Sequence, residues 1–319
     1  MTVIGKLVRY DIPYEMQQIT VIKFLEHTVR RFGLPHECNA DFPSKYEVVG
    51  DVLMIPEKSF QLASWEALPD KAPLWQGLAA CFGLRRVALK AEIDAGAKRE
   101  SRVSMLFNGD HADTWVTVNE NGIRYSFDIT KVMFCSGNCT ERMRYASFNA
   151  EDQIVVDLYC GIGYYTLPLL IHGKAKFVHA CELNPNSIAA LKRNLELANI
   201  APDRYEILEG DNRITTHSLR DVADRVSLGL LPTSREGWPI AVQVLKPVGG
   251  LLHIHENVHE EDIRSGEWMS SCLAYLRSEF ATRGKPMDLE VLHIERVKSY
   301  APRVYHFVAD ISCTSGGTQ

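Results

Sequence analysis

The chain has 319 residues, of which 46% are hydrophobic and 24% are charged, and its formal net charge is −5. These values are ordinary for a globular protein, and they exclude a disordered chain, a collagen and a strongly basic nucleic-acid binder. No run of apolar residues approaches the roughly 18 that a membrane-spanning helix needs, and the charged N-terminus lacks the apolar core of a signal peptide. We therefore expect a cytoplasmic protein that makes no membrane contact.

The eight cysteines are scattered along the chain without the spacing of a metal site. Cys135 and Cys139 are four positions apart, but no second cysteine pair and no nearby set of histidines accompanies them. Structural zinc sites need such paired ligands, and disulfides are rare inside cells. The pattern predicts a reduced protein with no bound metal.

The first half of the chain predicts a small mixed α+β domain over residues 1–145. Its expected elements are a helix over 17–32, a strand pair over 46–55, helical turns over 65–82, strands over 86–91 and 101–107, and a hairpin over 114–128. The first helix carries an apolar stripe made of Ile19, Ile22, Phe24, Leu25 and Val29. Asn121-Gly122 supplies the hairpin turn, because both residues tolerate the positive φ angles of a two-residue β-turn.

The second half, over residues 146–319, alternates strands with helices. Strands are expected over 153–159, 177–181, 205–208, 225–231, 251–255, 289–297 and 304–311, and helices over 164–171, 185–198, 238–245 and 267–283. Alternating β and α units at this spacing predict an α/β, Rossmann-like fold with a doubly wound parallel sheet. The last two strands have no helix between them, so we expect them to be antiparallel.

A glycine-rich turn follows the first strand of this half, in Asp157-Leu-Tyr-Cys-Gly161-Ile-Gly163. Open α/β sheets bind ligands at the carboxyl ends of their strands, where glycine lets the backbone approach the ligand closely. A dinucleotide fingerprint would continue with glycine or alanine at position 166, where this chain has threonine. The motif alone therefore also suits an ordinary strand–helix turn.

Two further acidic positions give the turn a more specific meaning. Glu182 ends the second strand, where a carboxylate can accept hydrogen bonds from both ribose hydroxyls of an adenosine. Asp211-Asn212 follows the third strand, where an acidic side chain can accept from the adenine amino group. Asp211 also suits a plain helix N-cap. Three acceptor-bearing loops at successive strand ends favour S-adenosyl-L-methionine over a nicotinamide dinucleotide.

Four longer segments resemble a family of tRNA-modifying enzymes that act on the guanosine 3′ of the anticodon, position 37. The segments are 46–51 (YEVVGD), 131–144 (KVMFCSGNCTERMR), 157–163 (DLYCGIG) and 181–185 (CELNP). The resemblance implies a small N-terminal domain and a class I S-adenosylmethionine-dependent methyltransferase fold. One branch of these enzymes methylates guanine N1, and the other is the tRNA wybutosine-synthesizing protein 2 family.

Two departures favour the wybutosine branch. The methyltransferase branch has an arginine where this chain has Asn138, and an asparagine that helps to hold the guanine where this chain has Leu230. Both polar groups would engage a guanine that loses its N1 proton, so their joint absence argues against N1 methylation. The resemblance then implies transfer of a 3-amino-3-carboxypropyl group from S-adenosylmethionine to C7 of 4-demethylwyosine in tRNA(Phe). A guanine-37-N1 methyltransferase and a non-catalytic tRNA-binding relative remain the alternatives.

The same resemblance implies a set of cofactor contacts, made by Cys135, Arg142, Glu182, Asp211 and Asn212, to which the glycine turn adds Asp157, Gly161 and Gly163. Cys135 replaces the serine of relatives, and a thiol is a poorer hydrogen-bond donor than a hydroxyl. Arg142 would pair with the carboxylate of the methionine arm. The alternative for Arg142 is a solvated helical turn shared with Glu141 and Arg144.

Candidates for the chemistry itself are fewer. Asn138, His253 and His255 are the residues considered, the histidines as acceptors of the proton that C7 loses. We expect the two histidines to point to opposite faces of their strand, so that at most one faces the pocket. A structural role is the alternative for each of them.

One segment of the first half is locally basic and is expected to contribute to tRNA binding, for which the resemblance implies the anticodon region of tRNA(Phe) as the partner. Residues 85–102 hold six basic residues against Glu92, Asp94 and Glu100, a net charge of +3. Lysine and arginine clusters of this kind bind phosphates. An ordinary solvated face with local ion pairs is the alternative.

Overall fold

The computed structural model describes residues 14–91 and 100–316, which group into two units. The first contains residues 14–120 and 124–136, and the second contains residues 121–123 and 137–316. None of the helices in the described ranges is both long and apolar enough to cross a membrane.

The first unit packs two helices against a small mixed sheet, as the sequence predicts. The helices are α1 (Tyr14–Phe32) and α2 (Ala72–Cys81), with 3-10 turns at His36–Ala40 and Ala63–Ala67. The strands are β1 (Glu47–Val49), β2 (Val52–Pro56), β3 (Arg86–Lys90), β4 (Val103–Phe107), β5 (Trp115–Glu120) and β6 (Ile123–Asp128). Strands β1 to β4 form one sheet in that order, in which only β2 and β3 are parallel, and β5 and β6 form the hairpin.

The apolar stripe of α1 differs from the predicted one. Ile19 and Ile22 are 51% and 45% exposed, whereas Val21 and Leu25 are fully buried. Positions four apart lie on the same helix face, and Val21, Leu25 and Val29 give a continuous stripe at that spacing. The prediction that Ile19 and Ile22 belong to the buried stripe was therefore wrong, because both are apolar but lie off the helix face that Val21, Leu25 and Val29 share.

Arg86 belongs to the basic segment over 85–102, but it lies neither on a tRNA-contacting surface nor on a solvated face. Its side chain is 1% exposed, and its Nε donates to Asp51 Oδ2 across 3.0 Å. One Nη also donates to the backbone oxygen of Trp115. Arg86 is thus an internal brace of the first unit and is not available to a phosphate. Lys98 and Arg99 lie outside the described residues.

The second unit is a doubly wound α/β sheet, as predicted. Its helices are α3 (Cys139–Ala146), α4 (Thr166–Ile171), α5 (Pro185–Leu197), α6 (Asn212–Thr215), α7 (Trp238–Val244), α8 (Glu260–Ser265) and α9 (Glu267–Thr282). Its strands are β7 (Ile154–Asp157), β8 (Phe177–Glu182), β9 (Tyr205–Glu209), β10 (Arg225–Leu228), β11 (Gly249–His259), β12 (Met287–Ala301) and β13 (Val304–Ser315).

The strand order is β12-β13-β11-β10-β7-β8-β9. The five strands from β11 to β9 are parallel, and β13 runs antiparallel to both β11 and β12, as expected. Consecutive strands β7, β8 and β9 build outward on one side of β7, and β10 lies on its other side. The order therefore reverses at β7, and ligands of open α/β sheets bind at such a switch point.

Helix α3 belongs to the second unit, whose longer stretch begins at residue 137. The domain boundary at residue 145 stays a prediction. Tyr145 is fully buried, and its ring stacks on that of Tyr165 with 4.3 Å between centroids. The helix is thereby packed into the unit that carries the glycine turn.

Candidate functional site

Three acidic residues stand at the carboxyl ends of three adjacent parallel strands. Asp157 ends β7, Glu182 ends β8, and Asp211 follows β9. In the ladders, Asp157 is opposite Ala180, and Glu182 is opposite Glu209. The strand ends are thus brought to one edge of the sheet, which confirms that the glycine turn and both later acidic positions share this edge.

The turn after β7 requires its glycines. Gly161 and Gly163 have φ angles of +57° and +97°, a region that other residues rarely adopt. A Cβ on Gly163 would lie 2.9 Å from Leu167 Cγ, and one on Gly161 would lie 2.7 Å from the ring of Tyr164. The backbone of the turn therefore passes too close to the side chains of Tyr164 and Leu167 for a larger residue at either position.

Glu182 ties this turn to the neighbouring strand. Its carboxylate accepts from the backbone N–H of Gly161 across 2.9 Å and from that of Asn184 across 2.7 Å. Burial raises the pKa of the Glu182 carboxyl, and the backbone N–H donors partly offset that rise. A carboxylate has about four acceptor sites in all, so acceptor capacity remains for ribose hydroxyls.

Asp157 lies beneath the turn. It is fully buried and accepts from the Thr166 hydroxyl across 2.7 Å. Burial raises the pKa of its carboxyl to about 7, against the lowering effect of the bond from Thr166. The threonine that broke the dinucleotide fingerprint is thus the partner of Asp157. In this position Asp157 braces the turn, and its contact with a cofactor stays a prediction.

Asp211 and Asn212 fix the loop after β9. Asp211 caps α6 by accepting from the backbone N–H of Arg213 across 2.9 Å, and it also pairs with the Arg213 guanidinium, which lowers the pKa of its carboxyl. Asn212 Nδ2 donates to the backbone oxygen of Leu158 across 2.9 Å, which joins this loop to β7. The N-cap alternative is therefore present, and it leaves Asp211 at the predicted edge.

Arg142 is a buried cation beside the glycine turn. It is 3% exposed, and its guanidinium carbon lies 5.8 Å from the centroid of the Tyr164 ring. Glu141 is fully buried as well. The alternative of a solvated turn over Glu141, Arg142 and Arg144 is therefore wrong.

Cys135 and Asn138 flank the division between the units. Cys135 is partly exposed and belongs to the first unit, and Asn138 immediately precedes α3 in the second. The contact expected of Cys135 stays a prediction, as does any role of Asn138 in the chemistry.

The expectation for the two histidines was wrong in its geometry. Residues two apart on a strand share a face, and the rings of His253 and His255 lie 5.3 Å and 6.1 Å from the Tyr145 ring. Neither presents a free nitrogen on a surface. His253 contacts Arg225 and Asp310, His255 contacts Tyr145 and His306, and both histidines are at most 2% exposed.

Burial also weakens these histidines as bases. It lowers the pKa of His253 to about 4, and it lowers that of His255 well below the ordinary value. Both therefore fit the structural alternative.

Asp310 was not among the residues predicted for the site, and the structure joins it to α3 through Arg144. Arg144 donates to Glu141 and to Asp310, which lies on β13. Asp310 interrupts an otherwise apolar strand, Phe-Val-Ala-Asp-Ile, and an acidic residue in such a run is a signal that a buried partner exists. Among the described residues, no group of three or more histidine, cysteine or acidic side chains could hold a metal ion.

Family models match two parts of the chain. Residues 29–111 match the TYW2 N-terminal domain, and residues 116–271 match the TRM5/TYW2 methyltransferase domain.

Named relatives match most of the chain. The tRNA wybutosine-synthesizing protein 2 homolog of Mus musculus is 40% identical over 325 residues, covering 87% of this chain and 71% of the mouse protein. The tRNA wybutosine-synthesizing protein 2/3/4 of Arabidopsis thaliana is 43% identical over 287 residues. That match covers 89% of this chain, which spans only 28% of the plant protein.

A solved structure has the same architecture. P. horikoshii TYW2, in complex with MeSAdo, is 28% identical with a TM-score of 0.73, and the match covers 92% of this chain and 100% of that one.

Proposed function

Because the chain belongs to the tRNA wybutosine-synthesizing protein 2 family, we propose that it is an S-adenosylmethionine-dependent tRNA aminocarboxypropyltransferase. In this proposal it transfers the 3-amino-3-carboxypropyl group to C7 of 4-demethylwyosine at position 37 of tRNA(Phe). The observation that carries the proposal is the grouping around one glycine turn of a buried cation, Arg142, with the acceptors Glu182 and Asp211 at neighbouring strand ends.

This set of residues fits the donor chemically. The adenosine part of S-adenosylmethionine carries hydroxyl and amino donors, and Glu182 and Asp211 are acceptors. The methionine part carries a carboxylate, and Arg142 is a cation removed from bulk water.

Which group the donor transfers depends on which of the carbons bonded to its sulfonium sulfur is aligned with the nucleophile. S-adenosylmethionine supplies three such carbons. In this transfer the bond from sulfur to the methionine γ-carbon breaks as the bond to C7 forms, leaving methylthioadenosine, and C7 then releases its proton to solvent. Arg142 would hold the far end of the methionine arm, while Glu182 and Asp211 would hold the adenosine end. Fixing both ends aligns the γ-carbon, and alignment of this kind contributes much of the rate of bimolecular transfers.

The tRNA is the proposed second substrate. The relatives' name refers to a tRNA nucleoside, and the basic segment over 85–102 would contribute phosphate contacts. Arg86 is excluded from that surface because it is buried against Asp51. The candidates that remain include Arg85, which is exposed, together with Lys98 and Arg99.

Methylation of guanine N1 is less well supported. Asn138 and Leu230 stand where the methyltransferase branch has the polar groups that would engage the guanine. His253 and His255 are enclosed, so we assign neither of them to proton transfer.

The test is a dual-label transfer assay. The protein is incubated with tRNA that bears 4-demethylwyosine, in parallel with S-adenosylmethionine labelled in the carboxyl group or in the methyl group. Retention of the carboxyl label alone on the tRNA supports the proposal. Retention of the methyl label alone would identify a methyltransferase, and retention of neither would support a non-catalytic tRNA-binding protein.

A further inference from the structure

A buried network of charged side chains joins α3 to the sheet. Arg144 donates from Nε to Glu141 Oε2 across 2.9 Å and from Nη2 to Glu141 Oε1 across 2.6 Å. The same guanidinium pairs with both oxygens of Asp310 on β13. Glu141 is fully buried and Asp310 is 7% exposed, so these are interior ion pairs.

The network of charged side chains continues beyond Asp310 along the sheet. Asp310 is opposite His253 in the β11–β13 ladder, and its Oδ1 lies 2.5 Å from His253 Nδ1. His253 Nε2 lies 2.6 Å from an Nη of Arg225, whose Nε donates to Gln153 across 2.9 Å. A guanidinium only donates, so His253 Nε2 accepts and its Nδ1–H donates to Asp310. The histidine is therefore neutral.

The charges within this network of side chains balance. It holds two carboxylates and two guanidiniums around one neutral imidazole. The ring of Phe148 stacks on that of His253. The guanidinium carbons of Arg144 and Arg225 each lie 4.9 Å from the centroid of the Phe148 ring. Removing one member of such a buried set leaves a charge without its partner, which is far more costly than removal of a surface pair.

Contacts with the rest of the unit fix the position of α3, among them these ion pairs and the stacking of Tyr145 on Tyr165. The helix has eight residues, and isolated helices shorter than about 12 residues are marginal in water. Arg142, the proposed carboxylate partner, lies between Glu141 and Arg144 on this short helix. Movement of Arg144 relative to the sheet would therefore move Arg142 relative to the glycine turn.

We propose that Asp310 is a positioning residue, which acts through Arg144 and Glu141 to hold α3 so that Arg142 meets the methionine carboxylate of the donor. The inference rests on the proposed function, since it takes S-adenosylmethionine as the ligand of Arg142. Asp310 itself touches neither donor nor acceptor in this account.

The test compares two ligands on one variant. Asp310→Asn removes the charge at nearly constant shape. Calorimetric titration should show an S-adenosylmethionine dissociation constant raised about tenfold, because the guanidinium of Arg142 is displaced from its partner. Methylthioadenosine has no carboxylate, so its dissociation constant should change less than about twofold. Equal losses for the two ligands would overturn the inference.

A double-mutant cycle separates action through Arg142 from general weakening. Once Arg142→Ala has removed the carboxylate contact, adding Asp310→Asn should change S-adenosylmethionine affinity less than about twofold, since coupled residues are not additive. Full additivity of the two losses would overturn the inference.

A matched control loses the same charge elsewhere. Asp224 accepts from the Ile154 N–H across 2.8 Å and pairs with Lys246, at the amino ends of β7 and β10. Asp224→Asn should lower thermal stability and leave the ratio of the two affinities at the wild-type value. If it shifts the ratio as much as Asp310→Asn does, the positioning role is wrong.

Two further outcomes keep the test decisive. If Asp310→Asn does not fold, Arg144→Lys keeps the positive charge but loses the fork that reaches two carboxylates, and it should raise the ratio in the same way. A wild-type ratio in Arg144→Lys would overturn the inference. If the wild-type protein binds neither ligand, the proposed function itself is wrong, which is a different result from an unchanged ratio.

Discussion

The backbone N–H of Gly161 donates to the carboxylate of Glu182 across 2.9 Å, so the glycine turn after β7 is fastened to the end of β8. Glu182 thus has two tasks in the proposed site. It holds the glycine turn in shape, and it offers its remaining acceptor capacity to the ribose. A substitution here should therefore affect stability and donor affinity together.

Replacement of Glu182 by alanine should weaken donor binding strongly. Each hydrogen bond lost to an ionised acceptor costs roughly 1.5–3 kcal/mol, which is about a 10- to 150-fold rise in the dissociation constant. Calorimetric titration with S-adenosylmethionine measures it directly. Glu209→Ala is the matched control, because Glu209 is the ladder partner of Glu182 but pairs with Lys192 on the exposed side. Equal affinities in the two variants would refute the ribose assignment.

Arg142→Ala should separate donor affinity from adenosine affinity. It should retain binding of methylthioadenosine and lose affinity for S-adenosylmethionine together with most of the transfer rate, since the γ-carbon is no longer held in line. Arg142→Lys should recover only part, because an ammonium cannot reproduce a bidentate fork. Single-turnover transfer and paired titrations measure both effects. If Arg142→Ala binds both ligands normally but fails to bind tRNA, Arg142 is a phosphate contact.

The basic segment can be tested with its two adjacent basic residues at positions 98 and 99. Replacing Lys98 and Arg99 together by alanine should weaken tRNA binding and reduce the slope of log affinity against log salt by about one to two units, because each phosphate contact releases a counterion. The measurement is a filter-binding titration at several salt concentrations. An unchanged slope would leave the segment as a solvated face.

Arg86→Ala is the informative comparison for that experiment. Its loss removes the buried donor to both Asp51 and the backbone oxygen of Trp115, so the first unit loses an internal brace. We therefore expect Arg86→Ala to lower the unfolding temperature, whereas the Lys98 and Arg99 substitutions change RNA binding.

The buried histidines give the protein a defined sensitivity to acid. The pKa of His253 in the folded protein is about 4, below its ordinary value of 6.5. Between these values the unfolded chain binds a proton that the folded protein does not, so the stability contributed at neutral pH is lost as pH falls from about 6.5 towards 4.

His253→Gln should remove this contribution, since an amide supplies a donor and an acceptor without titrating. The free energy of unfolding should then fall less steeply between pH 6.5 and 5, by up to about 1.4 kcal/mol per pH unit. Denaturant titrations at several pH values measure the slope. Other titrating groups, Asp157 among them, are shared by both proteins and cancel in the comparison. Identical slopes would show that His253 binds its proton equally in the folded and unfolded states, which contradicts a lowered pKa in the folded protein.

Much of the fold could be predicted because its determinants are local. Alternating apolar runs and helices specified the parallel sheet, and Asn121-Gly122 specified the hairpin. The candidate edge followed from the same logic, since the carboxyl ends of parallel strands meet. Glu182 and Asp211 could therefore be placed together before any coordinates were known.

What could not be predicted depends on contacts between distant segments. Arg144 and Asp310 are 166 positions apart, and the residues that flank either of them do not indicate the other as its partner. Arg86 lies in a segment rich in charged residues, which predicts an exposed side chain, and only its pairing with Asp51 places it inside. The histidines were misplaced for a simpler reason, because positions two apart on a strand share a face.

The central claim is that the donor loses its aminocarboxypropyl group, and the nucleoside that leaves the enzyme reports this directly. After incubation with 4-demethylwyosine-bearing tRNA and S-adenosylmethionine, the released nucleoside is separated by chromatography and compared in amount with the modified base. We predict methylthioadenosine in a one-to-one ratio with the new tRNA nucleoside, and no product when the tRNA is omitted. Release of S-adenosylhomocysteine in its place would contradict the account, because that product identifies methyl transfer.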